Sequence, residues 1–235
     1  MSEITEVAIP VPEVAPESSA PEISTAPAAP SGELPLASRL RYIAGNICLA
    51  LLFFVALIPA KGQYNSGAAN YIWLIGAALM GVLSLVRVPP RSVMLTPRAI
   101  LATAAMMMIP ALMRPGIPSV GLLADLAIAV ELVGIVYTQV ARLYLGRRFG
   151  LLPANRGIVS GGPFRLVRHP VYSGWLVLTV GFLMAYPTLR NIGMLVLSLP
   201  FLAWRMCLEE EHLNDDPEYR EYAAKTHYRL VPGIY

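Results

Sequence analysis

The sequence predicts an all-α, polytopic membrane helical bundle, and three observations support this prediction. Hydrophobic residues make up 56% of the 235 residues and charged residues only 14%, whereas soluble domains carry about 25% charged residues. The apolar residues form long blocks instead of the short periodic runs that build a soluble core. Lysine and arginine also concentrate in the segments between alternate blocks. These features indicate that lipid surrounds most of the chain.

Six apolar blocks reach or approach the length needed to cross a membrane, which is about 20 helical residues. They cover residues 40–60, 68–87, 97–114, 119–142, 170–187 and 189–207. Only Tyr186, Pro187 and Thr188 separate the last two blocks. The sequence therefore predicts about six transmembrane helices, the last two forming a tight antiparallel hairpin.

The basic residues predict the orientation of these helices. With a cytosolic N-terminus, only Lys61, Arg114 and Arg190 of the 18 lysines and arginines fall in outer loops. Cytoplasmic loops are enriched in these residue types. We therefore expect a multi-pass protein with both termini in the cytosol, and the short, compact organisation suggests a bacterial inner membrane.

The sequence divides into three regions. Residues 1–36 are rich in Pro, Ala, Ser and Glu, and such a composition predicts a disordered cytosolic tail. Residues 37–142 hold the first four apolar blocks. Residues 143–235 hold a cytosolic loop, the last hairpin and a short interfacial helix opened by Pro217. Tyr219, Tyr222 and Tyr228 are expected to pack at the membrane surface.

Two classes of site are not predicted. No run of basic residues interleaved with aromatics occurs, so the sequence predicts no nucleic-acid partner. Cys48 and Cys207 lie far apart without a neighbour at metal-ligand spacing, so no metal is predicted either. Lateral access from the bilayer favours a lipid or an apolar small molecule as ligand, and protein partners are not predicted.

Polar residues that could take part in binding or catalysis lie just before the fifth predicted helix and near the end of the sixth. Pro170 fits the first turn of the fifth helix, which holds Arg168 and His169 at the entrance of that helix. Near the end of the sixth helix, Arg205 and Glu209 are four residues apart and share a face. Glu209 begins a run of three acids toward a helix C-terminus, where the dipole disfavours negative charge. We expect a cation to compensate, either the loop arginines or a ligand.

Four short motifs follow each other in residues 143–235. They are Leu-Gly-Arg-Arg-Phe-Gly (145–150), Gly-Pro-Phe-Arg-x-x-Arg-His-Pro-x-Tyr-x-Gly (162–174), Arg-x-x-x-Glu-Glu-x-x-Leu (205–213) and Asp-Pro-x-Tyr-x-x-Tyr (216–222). In this order and spacing they resemble the isoprenylcysteine carboxyl methyltransferase and phospholipid methyltransferase family of integral membrane enzymes. Residues 1–142 contribute no motif to the resemblance.

The resemblance implies S-adenosylmethionine as methyl donor and a catalytic region over residues 143–235. Glu209, with Glu210, would hold the donor's ammonium group and Arg205 would orient the acceptor. His169 joins Arg205 and Glu209 as an implied catalytic residue. The implied cofactor-binding residues are Arg156, Gly157, Ile158, Val159, Phe164, His169, Pro170, Val171, Tyr172, Glu209 and Glu210. Phe164 departs from the family, which more often has tyrosine there.

The implied reaction is methylation of a lipid or other apolar acceptor, either at a carboxylate oxygen or at an amine nitrogen. Two alternatives stay open. An NADPH-dependent membrane reductase of the sterol and steroid type resembles the same helical arrangement and Arg-His-Pro-x-Tyr loop. A non-enzymatic lipid-binding or transport protein would instead use Asp125 and Glu131, because ionisable groups inside an apolar span mark functional positions.

Overall fold

The computed structural model describes residues 36–55 and 68–234. Within these ranges the chain is mostly helical, which confirms the all-α class. The helices are α1 (Leu36–Val55), α2 (Ala68–Leu85), α3 (Pro97–Ala111), α4 (Leu122–Leu145), α5 (Pro170–Ala185), α6 (Leu189–Leu213) and α7 (Pro217–Lys225). Except for Leu36, the predicted tail of residues 1–36 lies outside the described residues.

Each predicted apolar block falls on one of the helices α1 to α6. Two stretches, Leu122–Arg148 and Leu189–Leu213, are long and apolar enough to cross a membrane by length and composition. The other apolar helices in the described ranges are shorter, including α3 with 15 residues and α5 with 16. Length alone therefore supports two spans directly.

The turn between α5 and α6 is as short as predicted, but the two helices diverge. α5 packs mainly against α4, whereas α6 packs mainly against α3. The two helices of the predicted hairpin are therefore joined by a short turn but pack little against each other. This divergence leaves space between α3, α4, α5 and α6, and one of the cavities described below occupies that space.

Glycines explain why α5 follows α4 instead of α6. A Cβ atom added to Gly134 would lie 2.3 Å from the backbone nitrogen of Leu178. One added to Gly174 would lie 2.3 Å from Oγ1 of Thr138, and one added to Gly181 would lie 2.6 Å from the Glu131 nitrogen. Only residues without a side chain permit such close backbone approach, as in the small-residue interfaces of membrane helices.

The loop between α4 and α5 is fixed by short elements. Strand β1 (Ser92–Val93), which follows α2, pairs antiparallel with β2 (Ala154–Asn155). Single 3₁₀ turns cover Gly146–Arg148 and Gly162–Arg165. The Asn155 side chain donates to Oδ2 of Asp216 at 2.6 Å, which links this loop to the start of α7.

Residues 227–230, which we call the C-terminal strap, cross the entrance of α5. The backbone nitrogens of Arg168 and His169 donate to the carbonyls of Tyr228 and Arg229 at 2.8 and 2.9 Å. The Ser173 hydroxyl donates to the Leu230 carbonyl at 2.6 Å. The strap therefore holds the first turn of α5 in place.

The tyrosines of α7 correct a prediction. Tyr219 and Tyr222 are buried against Phe164 instead of facing a membrane surface. The Tyr222 hydroxyl donates to the Phe164 carbonyl at 2.8 Å. α7 folds back onto the loop because this contact satisfies the buried hydroxyl, whereas Tyr228 remains exposed.

Candidate functional site

The C-terminal half of α6 carries a buried arginine paired with a glutamate. Nη1 of Arg205 lies 3.1 Å from Oε2 of Glu209, one helical turn later. Nη2 of Arg205 donates to the Leu151 carbonyl at 2.9 Å, and the Tyr172 hydroxyl donates to Oε2 of Glu209 at 3.3 Å. The Arg205 side chain is 3% exposed and that of Glu209 is 29% exposed. The arginine is therefore fixed, while the carboxylate keeps an open side.

The next residue, Glu210, lies at the centre of a separate cluster of cations. Its Oε1 is 3.0 Å from Nη1 of Arg168 and 3.0 Å from Nε2 of His169. Its Oε2 accepts from Nε and Nη2 of Arg229 at 3.0 and 2.8 Å. Both oxygens of Glu210 are thus occupied by protein groups from the α5 entrance and the C-terminal strap.

A cavity with mixed polar and apolar walls, the polar cavity, lies between the α4–α5 loop, α6 and α7. Its volume is about 100 Å³, which is smaller than the 300–1,000 Å³ or so that small-molecule sites usually occupy. Its lining includes Arg156, Gly157, Ile158, Val159, Phe164, Arg168, His169, Glu209, Tyr219 and Tyr222. Seven of the predicted site residues therefore meet around one cavity.

A second cavity, the apolar cavity, lies between α3, α4, α5 and α6 and has a volume of about 200 Å³. Its walls are mostly aliphatic, aromatic and methionine side chains. The polar members of its lining include Thr103, Arg142, Tyr172 and Arg205. Gly150 lines both cavities. The two spaces therefore adjoin at Gly150 and at the Arg205–Glu209 pair.

The structure divides the predicted cofactor-binding residues between different surroundings. Val171 and Tyr172 line the apolar cavity and not the polar one, and Pro170 is buried in the first turn of α5. Glu210 lines neither cavity, because its carboxylate faces the cluster of Arg168, His169 and Arg229. These four positions therefore lie outside the lining of the polar cavity that the other seven predicted residues share.

Two buried polar groups of the polar cavity were missed by the sequence analysis. Nε of Arg168 and the Tyr219 hydroxyl have no hydrogen-bond partner of acceptable geometry among the described residues. Burial, with the charge of Glu210, raises the pKa of Tyr219 to about 12, so its hydroxyl stays protonated at neutral pH. Buried polar groups normally have partners. Arg168 and the Tyr219 hydroxyl lie beside each other, and both residues line the polar cavity.

The apolar cavity has two comparable groups, Oγ1 of Thr103 and Nε of Arg142. Neither has a hydrogen-bond partner in the part of the chain that the structure describes. Nη1 of Arg142 reaches Gln139 at 3.5 Å. The sequence analysis treated Arg142 only as an orientation signal. Its position one turn inside the end of α4 was the available signal that it faces the helix bundle.

Asp125 and Glu131, the acids on which the transport hypothesis depends, lie outside the polar and apolar cavities. Asp125 is exposed near the start of α4. Glu131 packs beside Gly181 of α5. Neither lines the polar or the apolar cavity, so the described geometry gives them no shared site.

Fold and site together define a helical protein of apolar surface with a polar and an apolar cavity meeting at a buried ion pair. Residues 120–216 match the model of a family described as phospholipid methyltransferase. This match covers α4, α5, α6 and the loop between α4 and α5. The resemblance predicted from the sequence is confirmed for this part of the chain.

Similarity to individual proteins covers about half of the chain. Protein-S-isoprenylcysteine O-methyltransferase A of Arabidopsis thaliana is 29% identical over 120 residues, 48% of this chain and 61% of that protein. A probable protein-S-isoprenylcysteine O-methyltransferase of Oryza sativa subsp. japonica is 28% identical over 128 residues, 51% of this chain and 67% of that protein. The match thus spans less than two thirds of the Arabidopsis protein.

Proposed function

We propose that this protein is an integral membrane methyltransferase that uses S-adenosylmethionine to methylate a lipid or other apolar acceptor. The observation that carries the proposal is the position of Glu209. Its carboxylate lines the polar cavity, while its partners Arg205 and Tyr172 line the apolar cavity. One ion pair therefore connects a space suited to a charged cofactor with a space suited to an apolar acceptor.

The polar cavity fits S-adenosylmethionine by its chemistry. The donor carries two positive groups, an ammonium and a sulfonium, and Glu209 is the acid in the cavity lining with an open side. The donor also carries a carboxylate and hydroxyl groups, which Arg168 and the Tyr219 hydroxyl could bind. We assign the ammonium to Glu209 alone, because Glu210 is enclosed by protein cations.

The apolar cavity fits an amphiphile with an anionic head. Arg205 and Arg142 line it, and no aspartate or glutamate belongs to its described lining. Arginine is well suited to carboxylates because its guanidinium donates hydrogen bonds from a planar fork. We therefore propose a carboxylate as the acceptor group and O-methylation as the reaction. The names of the two plant relatives support this choice.

S-adenosylmethionine, when bound, would supply an electrophilic methyl group for the acceptor carboxylate oxygen and would leave as a neutral thioether. The carboxylate is ionised at neutral pH, so the protein has no proton to remove. The role of Arg205 is then to hold the acceptor oxygen in line with the methyl group. His169 acts as a positioning residue through Glu210.

The proposed membrane arrangement keeps α1 to α6 as six spans with both termini in the cytosol of a bacterial inner membrane. The length of α4 and α6 supports two of these spans. The shorter helices α3 and α5 cross only if the bilayer adapts locally, at a modest free-energy cost. The cavities then lie near the cytosolic face, where the loop arginines also lie.

The test is calorimetric binding of S-adenosylmethionine to the detergent-purified protein, with NADPH as the comparison ligand. We expect saturable binding of S-adenosylmethionine that Glu209→Gln weakens by about tenfold or more, because a charge-assisted contact is lost. Glu211→Gln is the matched control, since Glu211 is exposed and pairs with Arg98 outside both cavities.

Equal binding by Glu209→Gln and Glu211→Gln would reject the assignment of Glu209. Binding of NADPH without binding of S-adenosylmethionine would replace the proposal with the reductase hypothesis. If the donor binds, transfer of a labelled methyl group to an S-farnesylated cysteine analogue then tests the acceptor class. Methylation of an amine analogue in its place would reject O-methylation.

A further inference from the structure

A third cavity runs along one face of α1 and plays no part in the proposed reaction. We call it the α1 groove. Tyr42, Cys48, Leu49 and Leu52 form its α1 side, and their spacing of three, four and seven residues places them on one face of the helix. The groove has a volume of about 570 Å³, and its opposite wall includes Leu95.

Two arginines lie together at one end of the α1 groove. Nε of Arg87 donates to Oδ1 of Asn46 at 2.7 Å, and Nη1 of Arg156 donates to the Val88 carbonyl. Arg156 is only 9% exposed, and its Nε has no partner among the described residues. Over the same residues no carboxylate forms an ion pair with either arginine. The pair therefore carries positive charge that the described chain does not balance.

The surroundings of these arginines make that charge unfavourable. Burial and then the charge of Arg87 lower the pKa of Arg156 to about 10. Like charges in a partly buried site repel each other more strongly than in water. The Tyr42 hydroxyl contacts both guanidiniums without supplying a carboxylate. An anion beside the two guanidiniums would reduce the repulsion between them.

The remainder of the groove limits what that anion can be. Beyond Tyr42 the α1 side continues through Cys48, Leu49 and Leu52, which are apolar or weakly polar. A free inorganic anion would leave this apolar length without a partner, and a neutral lipid would leave the guanidiniums without one. An anion attached to a hydrocarbon chain satisfies both ends.

We propose that the α1 groove binds one anionic phospholipid, with its phosphate between Arg87 and Arg156 and an acyl chain along Cys48 and Leu52. The site is distinct from the proposed acceptor cavity and holds a resident lipid instead of a substrate. Because Leu152, Ala154 and Arg156 line both the groove and the polar cavity, the lipid also fixes one wall of the polar cavity.

Lipid counting by native mass spectrometry tests this proposal without any assay of methyl transfer. The purified protein is stripped of lipid and titrated with phosphatidylglycerol or with zwitterionic phosphatidylcholine. We expect one phosphatidylglycerol per chain to bind about tenfold more tightly than phosphatidylcholine. Arg87→Gln should lower the affinity for phosphatidylglycerol by about tenfold.

Two matched controls separate the groove from general effects. Arg147→Gln removes the same charge from a nearby exposed arginine outside the groove and should leave binding unchanged. Cys48→Trp fills the apolar half of the groove without touching the arginines and should displace the lipid, whereas Ile47→Trp alters an exposed neighbour and should not. If Arg87→Gln fails to fold, the comparison of Cys48→Trp with Ile47→Trp still tests the proposal.

Three outcomes would overturn the proposal. Equal affinity for phosphatidylglycerol and phosphatidylcholine would exclude recognition of the anionic head. Equal binding by Arg87→Gln and Arg147→Gln, or by Cys48→Trp and Ile47→Trp, would place the lipid elsewhere. Displacement of phosphatidylglycerol by millimolar inorganic phosphate would show that a free anion is sufficient.

Discussion

Glu209 and Glu210 are consecutive residues of α6 whose carboxylates contact different groups among the described residues. Glu209 contacts Arg205 and Tyr172 and lines the polar cavity. Glu210 contacts Arg168, His169 and Arg229 and does not itself line either cavity. One acid therefore faces a cavity, and the other holds three chain segments together.

This difference predicts that Glu210→Gln mainly lowers stability. Removing one partner of a buried ion cluster leaves uncompensated charge and typically costs about 3–5 kcal/mol. We expect a correspondingly lower unfolding midpoint in detergent. The exposed change Glu211→Gln should cost less than about 1 kcal/mol. Equal midpoints for these two variants would mean that the cluster contributes nothing to folding.

The contact between α4 and α5 predicts opposite effects for two glycine substitutions. Gly174→Ala places a Cβ 2.3 Å from Oγ1 of Thr138 and 2.8 Å from the Thr138 nitrogen, so the helices must move apart. We expect a loss of about 1–3 kcal/mol in the free energy of unfolding. Gly193→Ala in α6 meets no atom within 4 Å and should be neutral or stabilising by about 0.5–1 kcal/mol. Thermal unfolding of both variants measures the difference, and a stable Gly174→Ala protein would contradict the close contact.

The apolar cavity predicts a kinetic role for Arg142. In the proposed reaction, Arg142→Leu removes a guanidinium that faces the acceptor head, so KM for a carboxylate amphiphile should rise about tenfold. Binding of S-adenosylmethionine should not change, because Arg142 does not line the polar cavity. The control is Arg190→Leu, an exposed position near the start of α6. Steady-state kinetics with unchanged KM in Arg142→Leu would place the acceptor elsewhere.

The start of α7 predicts a pH-dependent contribution from Asp216. Burial alone would raise the pKa of Asp216, but hydrogen bonds from Asn155 and the Glu218 amide, with Arg91 nearby, lower it below its ordinary value. A lowered folded-state pKa means that the stabilisation is present above the unfolded pKa of about 4. The stabilisation is then lost as the pH falls through the folded pKa.

Calorimetry of wild type and Asp216→Asn between about pH 6 and pH 3 measures this contribution. We expect wild type to be more stable by at most about 1 kcal/mol at the higher pH, the upper end of what an exposed ion pair contributes, because asparagine can still cap α7 but cannot pair with Arg91. The difference should shrink on acidification. Asp215→Asn, at the exposed neighbouring position, is the control. A difference that is constant with pH would contradict the assignment to the Asp216 charge.

The helices could be predicted from the sequence because hydropathy and length act locally. The divergence of α5 from α6 could not, because it depends on Gly134 and Gly174 meeting across two helices that are distant in sequence. Gly174 stands out in the sequence as part of the Pro-x-Tyr-x-Gly motif, but the sequence does not identify Gly134 as its partner. Packing preferences of this kind become apparent only when both surfaces are known.

Three motif residues, Phe164, His169 and Glu209, line one cavity. That these residues bind a ligand there stays a prediction. At the start of α5, side chains that are adjacent in the sequence face different surroundings, because successive side chains of a helix point about 100° apart. The partner of Glu210 from the C-terminal strap, Arg229, follows it by 19 residues, a separation that no helical spacing predicts.

The C-terminal strap imposes an order on biosynthesis. His169 opens α5, yet the carbonyl that receives its backbone hydrogen belongs to Arg229, which the ribosome adds 60 residues later. At about 5–20 residues per second this interval is roughly 3–12 seconds. During that time the group of basic residues around Glu210 is incomplete. The polar cavity that would hold the cofactor is therefore among the last parts of the described chain to be completed. We expect the newly made protein to be inactive until the C-terminal strap has been synthesised.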